Sequence, residues 1–89
     1  MKIKKGFVLR EVCGQNVIVG EGLDAINFGR MLSLNKTAAW IWKEAARQGE
    51  FTAQSLAVAL CEEYEVAPET ALTDIEKTLN QWLELNVVE

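Results

Sequence analysis

The sequence contains no histidine. That removes the commonest general acid–base group at neutral pH and the commonest nitrogen ligand for a metal. Cysteine is nearly as scarce. Cys13 and Cys61 stand far apart without metal-site spacing, and neither has a neighbouring base or cationic cluster to activate it as a nucleophile. They read as reduced thiols acting as small hydrophobes, because a cytoplasmic domain rarely keeps a disulfide. No apolar run approaches the roughly 18 residues of a membrane span. The basic start, Met1-Lys2-Ile3-Lys4-Lys5, lacks the apolar segment and cleavage site of a signal peptide. Gly14, Gly20, Gly22 and Gly29 form no dinucleotide or phosphate loop, and no nucleophile-elbow pattern occurs. Glu62, Glu63 and Glu65 cluster, but without the oxygen-ligand loop of a calcium site, and read as a solvated helix end. These absences point away from an enzyme, a cofactor, a metal and a membrane, and toward a cytoplasmic binding domain.

What is present suits one small globule. Of the 89 residues, 49% are hydrophobic and 25% charged, enough for a single core spanning residues 1–89 with little margin. Charge is uneven. Residues 1–44 hold seven Lys or Arg against four Asp or Glu, whereas residues 45–89 hold two against nine. The second half therefore repels phosphate backbones and attracts cations.

The chain turns on Leu32-Ser33-Leu34-Asn35-Lys36-Thr37-Ala38-Ala39-Trp40-Ile41-Trp42. An extended run ends at Asn35, a strong N-cap residue, and Ala38, Ile41, Trp42 and Ala45 then recur at helical spacing. Before it, Phe7 to Val12 and Asn16 to Val19 are β-formers joined by Cys13-Gly14-Gln15, an antiparallel hairpin signal. Gly20 to Asp24 reads as a loop and Ala25 to Leu34 as a third strand. Ile26, Phe28, Leu32 and Leu34 lie on one of its sides, interrupted by Arg30, with Asn27, Gly29, Met31 and Ser33 on the other.

A first helix runs from about Asn35 to Gln48 and stops at Gly49. Thr52 caps a second helix whose stripe is Leu56, Ala59, Leu60 and Tyr64. Pro68, the only proline, suits the first turn of a third helix reaching about Leu85, with a stripe of Leu72, Ile75, Leu79, Trp82 and Leu83. The tail Asn86-Val87-Val88-Glu89 is either a short edge strand or a fraying end. The order predicts an α+β fold, a three-stranded antiparallel sheet followed by a three-helix bundle. It is winged helix-turn-helix-like, with the sheet first.

DNA binding, natural for three such helices, is disfavoured because the third helix sets Glu69, Asp74, Glu76 and Glu84 against Lys77 alone. Peptide binding fits better. A small sheet leaves an edge that an extended peptide can join, and Gly29 lets a backbone approach the third strand closely. The third helix carries Asp74, Lys77, Thr78 and Gln81 beside Trp82 and Leu85. Trp82 and Leu85 read equally as core. A protein–protein adaptor with a folded partner is the alternative. The open edge allows a monomer, an edge-paired dimer or a swapped hairpin.

Leu34-Asn35-Lys36-Thr37-Ala38-Ala39-Trp40-Ile41-Trp42 resembles the Leu-Asn-x-Thr-Ala-x-x-Ile-Trp signature of the PqqD family, named for pyrroloquinoline quinone biosynthesis. Phe51-Thr52, Leu56, Leu60, Glu63-Tyr64, Asp74-Ile75, Leu79 and Leu83 continue the match, which spans residues 7–89. Asn86 stands where the family's closing glycine is usual. The resemblance implies three strands followed by three helices. It implies a non-catalytic recognition element for ribosomally made, modified peptides, which holds the precursor's leader segment as an added strand and presents it to a modifying enzyme, often a radical SAM protein. Carried over by position, the peptide would lie along Ile26, Phe28, Arg30, Met31 and Leu32, against Asp74, Lys77, Thr78, Gln81, Trp82 and Leu85. The acidic third helix would favour a leader bearing Lys or Arg. No cofactor is implied.

Overall fold

A computed structural model describes residues 1–21 and 32–89. Strand β1 (Phe7–Val12) turns back into β2 (Gln15–Gly20), and β2 pairs with β3 (Leu32–Leu34); all pairs are antiparallel in the order β1-β2-β3. The β1–β2 register runs from Phe7 opposite Gly20 to Val12 opposite Gln15, leaving a two-residue loop. Cys13 (φ 52°) and Gly14 (φ 78°) both take positive φ, the hairpin geometry that matches strand twist. β3 pairs Leu32 with Ile18 and Leu34 with Asn16. Leu32 and Leu34 are half-buried and Ser33 is exposed, the expected alternation. The rest of the expected third strand, 25–31, lies outside the described residues.

Helix α1 (Lys36–Gln48) begins where Asn35 Oδ1 accepts the Ala38 N–H at 2.8 Å. It ends at Gly49 (φ 78°), whose N–H donates to the Ala45 carbonyl at 3.0 Å. Ala39, Ile41, Trp42 and Ala45 are buried, and Ala38 is only half-buried. Helix α2 (Ala53–Glu63) is capped reciprocally. Ser55 N–H donates to Thr52 Oγ1 at 3.0 Å, and Thr52 N–H to Ser55 Oγ at 2.9 Å. A side-chain chain links the two helices. Arg47 Nε and Gln48 Nε2 each donate to the Glu44 carboxylate at 2.9 Å, and Ser55 Oγ donates to Gln48 Oε1 at 2.7 Å. The hydrogen bond from Arg47, and then that from Gln48, hold the Glu44 carboxyl below its usual range.

Two expected stripes shift. On α2, Leu56, Ala57 and Leu60 are buried, whereas Ala59 is half-buried and Tyr64 exposed. The backbone turns extended at Tyr64 (φ −127°, ψ 149°), so its side chain leaves the helical stripe and its ring meets Trp40 edge-on, centroids 5.8 Å apart. On α3 (Pro68–Glu84) the buried set is Ala71, Ile75, Leu79 and Trp82. Leu72 is half-buried and Leu83 exposed. Helices α2 and α3 pack together, and each buries a small residue in the core, Ala57 and Ala71.

The end of α3 explains the tail. Asn86 takes φ 62°. Its N–H donates to the Leu83 carbonyl, and the Val87 N–H to the Trp82 carbonyl, both at 3.1 Å. This is a complete Schellman motif with asparagine in the usual glycine position. Val87 and Val88 are buried rather than frayed. The tail pairs with the N-terminal segment: Lys2 and Glu89 exchange N–H···O bonds of 2.8 Å, and Lys4 N–H donates to Val87 O at 3.0 Å. On the other side Phe51 N–H donates to Met1 O at 2.7 Å. Both ends are thereby stitched to the α1–α2 connection. The core between sheet and helices centres on Trp42 and Trp82, edge-to-face with centroids 5.2 Å apart, with Ile18, Phe51, Leu56 and Ile75 around them.

Candidate functional site

A groove of about 380 Å³ opens where β3 passes into α1. Asn35, Thr37, Ala38 and Ile41 form one wall, Leu60 of α2 contributes apolar surface, and Asp74, Lys77, Thr78 and Gln81 of α3 form the opposite wall. The α3 residues recur at three- and four-residue spacing, so a single helical face presents all four. Its chemistry is mixed: the aliphatic surface of Ala38, Ile41 and Leu60 is set among polar groups from both helices.

Each polar group has a different availability. Asn35 Oδ1 is engaged in capping α1. Thr78 Oγ1 donates to the Asp74 carbonyl at 3.0 Å, so its proton is committed while oxygen lone pairs remain. Asp74, Lys77 and Gln81 are exposed. Among the described residues, ion pairs join only Arg10 to Glu21 and Arg47 to Glu44. Neither the Asp74 carboxylate nor the Lys77 ammonium is in an ion pair among the described residues, and Gln81 adds an amide carrying both donor and acceptor. Among the described residues, the groove rim holds one charge of each sign. Glu69, Glu76 and Glu84, which make α3 acidic, do not line it.

Of the residues expected at a site, Asp74, Lys77, Thr78 and Gln81 come together in this groove. Trp82 is 2% exposed and packs on Trp42 beneath the surface. Leu32 and Leu85 are half-buried and pack against the core, with Leu85 as the C-cap of α3. Ile26, Phe28, Arg30 and Met31 lie outside the described residues. The α1 wall was not among the expected contacts, although Asn35, Thr37, Ala38 and Ile41 all belong to the most distinctive block of the sequence. Asn35 caps α1, and Ala38 and Ile41 pack on or in the core, so these three already have structural reasons to be there; Thr37 is exposed. β2 occupies one edge of β3, and no described strand occupies the other. Among the described residues no group of three or more His, Cys, Asp or Glu is arranged to hold a metal ion. No described helix is long and apolar enough to cross a membrane.

A family model described as coenzyme PQQ synthesis protein D (PqqD) matches residues 14–88. The chain belongs to the PqqD family. A search of curated proteins returns no match. Among solved structures, TbiB1 in complex with the TbiA(beta) leader peptide is similar, with a TM-score of 0.80 at 20% identity over 100% of this chain and 95% of that one. At that identity the likeness establishes a shared PqqD-type fold, three antiparallel strands followed by three helices.

Proposed function

We propose that this PqqD-family domain is a non-catalytic carrier of a precursor peptide. It holds the leader segment of a ribosomally synthesised peptide as an added strand beside β3, with side chains entering the groove between α1 and α3. The observation that carries this reading is the continuity of two features: an edge of β3 without a described strand partner, and a groove that begins at Asn35, the residue directly after β3. Backbone pairing fixes the register of an extended peptide without reading its sequence, and a groove beside it selects alternate side chains. The leader peptide bound to TbiB1 supports the same reading.

The chemistry assigned to this chain is presentation to a modifying enzyme, which we take to be a radical SAM protein, through a raised effective concentration of substrate. The groove refines the charge expectation. Among the described residues that line it, Asp74 offers a contact to a leader Lys or Arg and Lys77 one to a leader acid, so affinity depends only modestly on salt. Calorimetric titration with synthetic leader peptides encoded beside the gene tests the proposal. Binding by a leader segment that weakens about tenfold in Gln81→Ala or Lys77→Ala, with folding unchanged, supports it. Tight binding that is indifferent to both substitutions, or that requires a folded protein instead of the peptide, refutes it.

A further inference from the structure

A second concavity, about 430 Å³, lies between α2 and the start of α3. Ala57, Val58, Cys61 and Leu72 give it an apolar lining, and Glu62 and Glu69 stand at it from the two helices. Val58 is 50% exposed, a β-branched aliphatic side chain presented to water in the middle of a helix. At about 100° per residue, Pro68, Glu69 and Leu72 lie roughly opposite Asp74, Lys77, Thr78 and Gln81 around α3. The two concavities can therefore be occupied at the same time.

Its electrostatics are one-sided. Among the described residues no Lys or Arg lines it, and neither Glu62 nor Glu69 belongs to an ion pair. Glu62 and Glu63 close the last turn of α2, which has no basic residue; the helix dipole there disfavours negative charge. The apolar lining would favour an apolar side chain, and the uncompensated carboxylates would favour cations around it. No strand edge runs along this concavity, so a helix laid between two helices is the matching mode.

We infer that the α2–α3 concavity is a docking surface for a folded partner protein that presents a helix with an apolar anchor flanked by Lys or Arg. This does not rest on the leader-peptide reading, because it uses different residues and a different mode of recognition.

Two synthetic amphipathic helical peptides test it, identical in a leucine seam and differing only in Lys/Arg or Glu flanks. Each is titrated into the full ¹⁵N-labelled chain. The basic peptide should shift the amides of Val58, Cys61, Glu62, Glu69 and Leu72, and bind about tenfold more tightly than the acidic one. Its affinity should fall about tenfold between roughly 0.05 M and 0.5 M salt. Exchanging the surface charges in Glu62→Lys/Glu69→Lys should invert the preference while the rest of the spectrum stays folded. The inference is overturned by equal affinity for both peptides, by no binding, or by shifts confined to Asp74, Lys77 and Gln81. A charge-reversed variant that keeps the original preference also overturns it. So do concentration-dependent shifts of the same amides without peptide, which would make a second copy of this chain the occupant. Leader-peptide binding is measured separately at the other face, so the failure of either reading leaves the other standing.

Discussion

Trp82 separates a core role from a binding role most sharply, and Trp82→Ala is the perturbation to make. The indole is 2% exposed and meets Trp42 edge-on at 5.2 Å. Truncating a fully buried tryptophan costs about 3–5 kcal/mol through lost transfer energy and the cavity left behind. About 0.5–1.5 kcal/mol of that belongs to the ring pair. A domain of this length has a total stability of roughly 4–13 kcal/mol. The variant should therefore lose about a quarter or more of its stability, and at the lower end of that range a large part of the population is unfolded at room temperature. Urea denaturation followed by circular dichroism at the helix band reads this without depending on the missing fluorophore. Trp82→Phe, which keeps an aromatic ring against Trp42, should lose only about 1–2 kcal/mol and retain peptide binding. The reasoning is refuted if Trp82→Ala unfolds within about 0.5 kcal/mol of the parent chain yet no longer binds peptide. Such a result would put the indole in the groove.

Other perturbations test single links in the fold. Asn35→Ala removes the α1 cap and should cost about 1 kcal/mol in thermal or urea unfolding. Asn86→Gly should be neutral or add a few tenths of a kcal/mol, and Asn86→Val should cost about 1–2 kcal/mol, because only the first tolerates φ 62°. Removing Met1 to Lys4 deletes four backbone hydrogen bonds to Phe51, Val87 and Glu89, and should lower stability by about 2–4 kcal/mol and expose the Glu89 amide to hydrogen exchange. The Glu44 carboxyl is held below its ordinary value of 4.5. Its contribution is thus present above that pH and lost as pH falls through the lowered folded value. Glu44→Gln should flatten the acid limb of the stability–pH curve and leave its neutral part nearly level.

Element order and most boundaries were legible because the punctuation is strong: Asn35, Gly49, Thr52 and Pro68 each act in one specific way at a helix end. What was misjudged has a common cause. Ranking apolar residues by size placed Leu83 and Tyr64 in stripes where the packing uses Ala71 and Ala57, since close helix contact selects small side chains. The tail was legible as a possible short edge strand, but its partner was not, because residues 2–4 carry no strand signal of their own and the pairing joins the two ends of the chain. At the site, the α3 face showed as polar residues at helical spacing. The α1 wall did not, because Asn35, Ala38 and Ile41 already have capping and packing roles. Asn86, standing where the family's closing glycine is usual, takes the left-handed cap with φ 62°, a backbone in which asparagine is enriched over other non-glycine residues.

The central claim is strand addition beside β3, and inter-molecular NOEs test it most directly. An isotope-labelled leader peptide bound to the unlabelled chain should give amide–amide and α-proton contacts to Leu32, Ser33 and Leu34 in a regular two-residue ladder, together with side-chain contacts to Lys77 and Gln81. A bound peptide that is helical, or whose contacts avoid residues 32–34, would contradict the account.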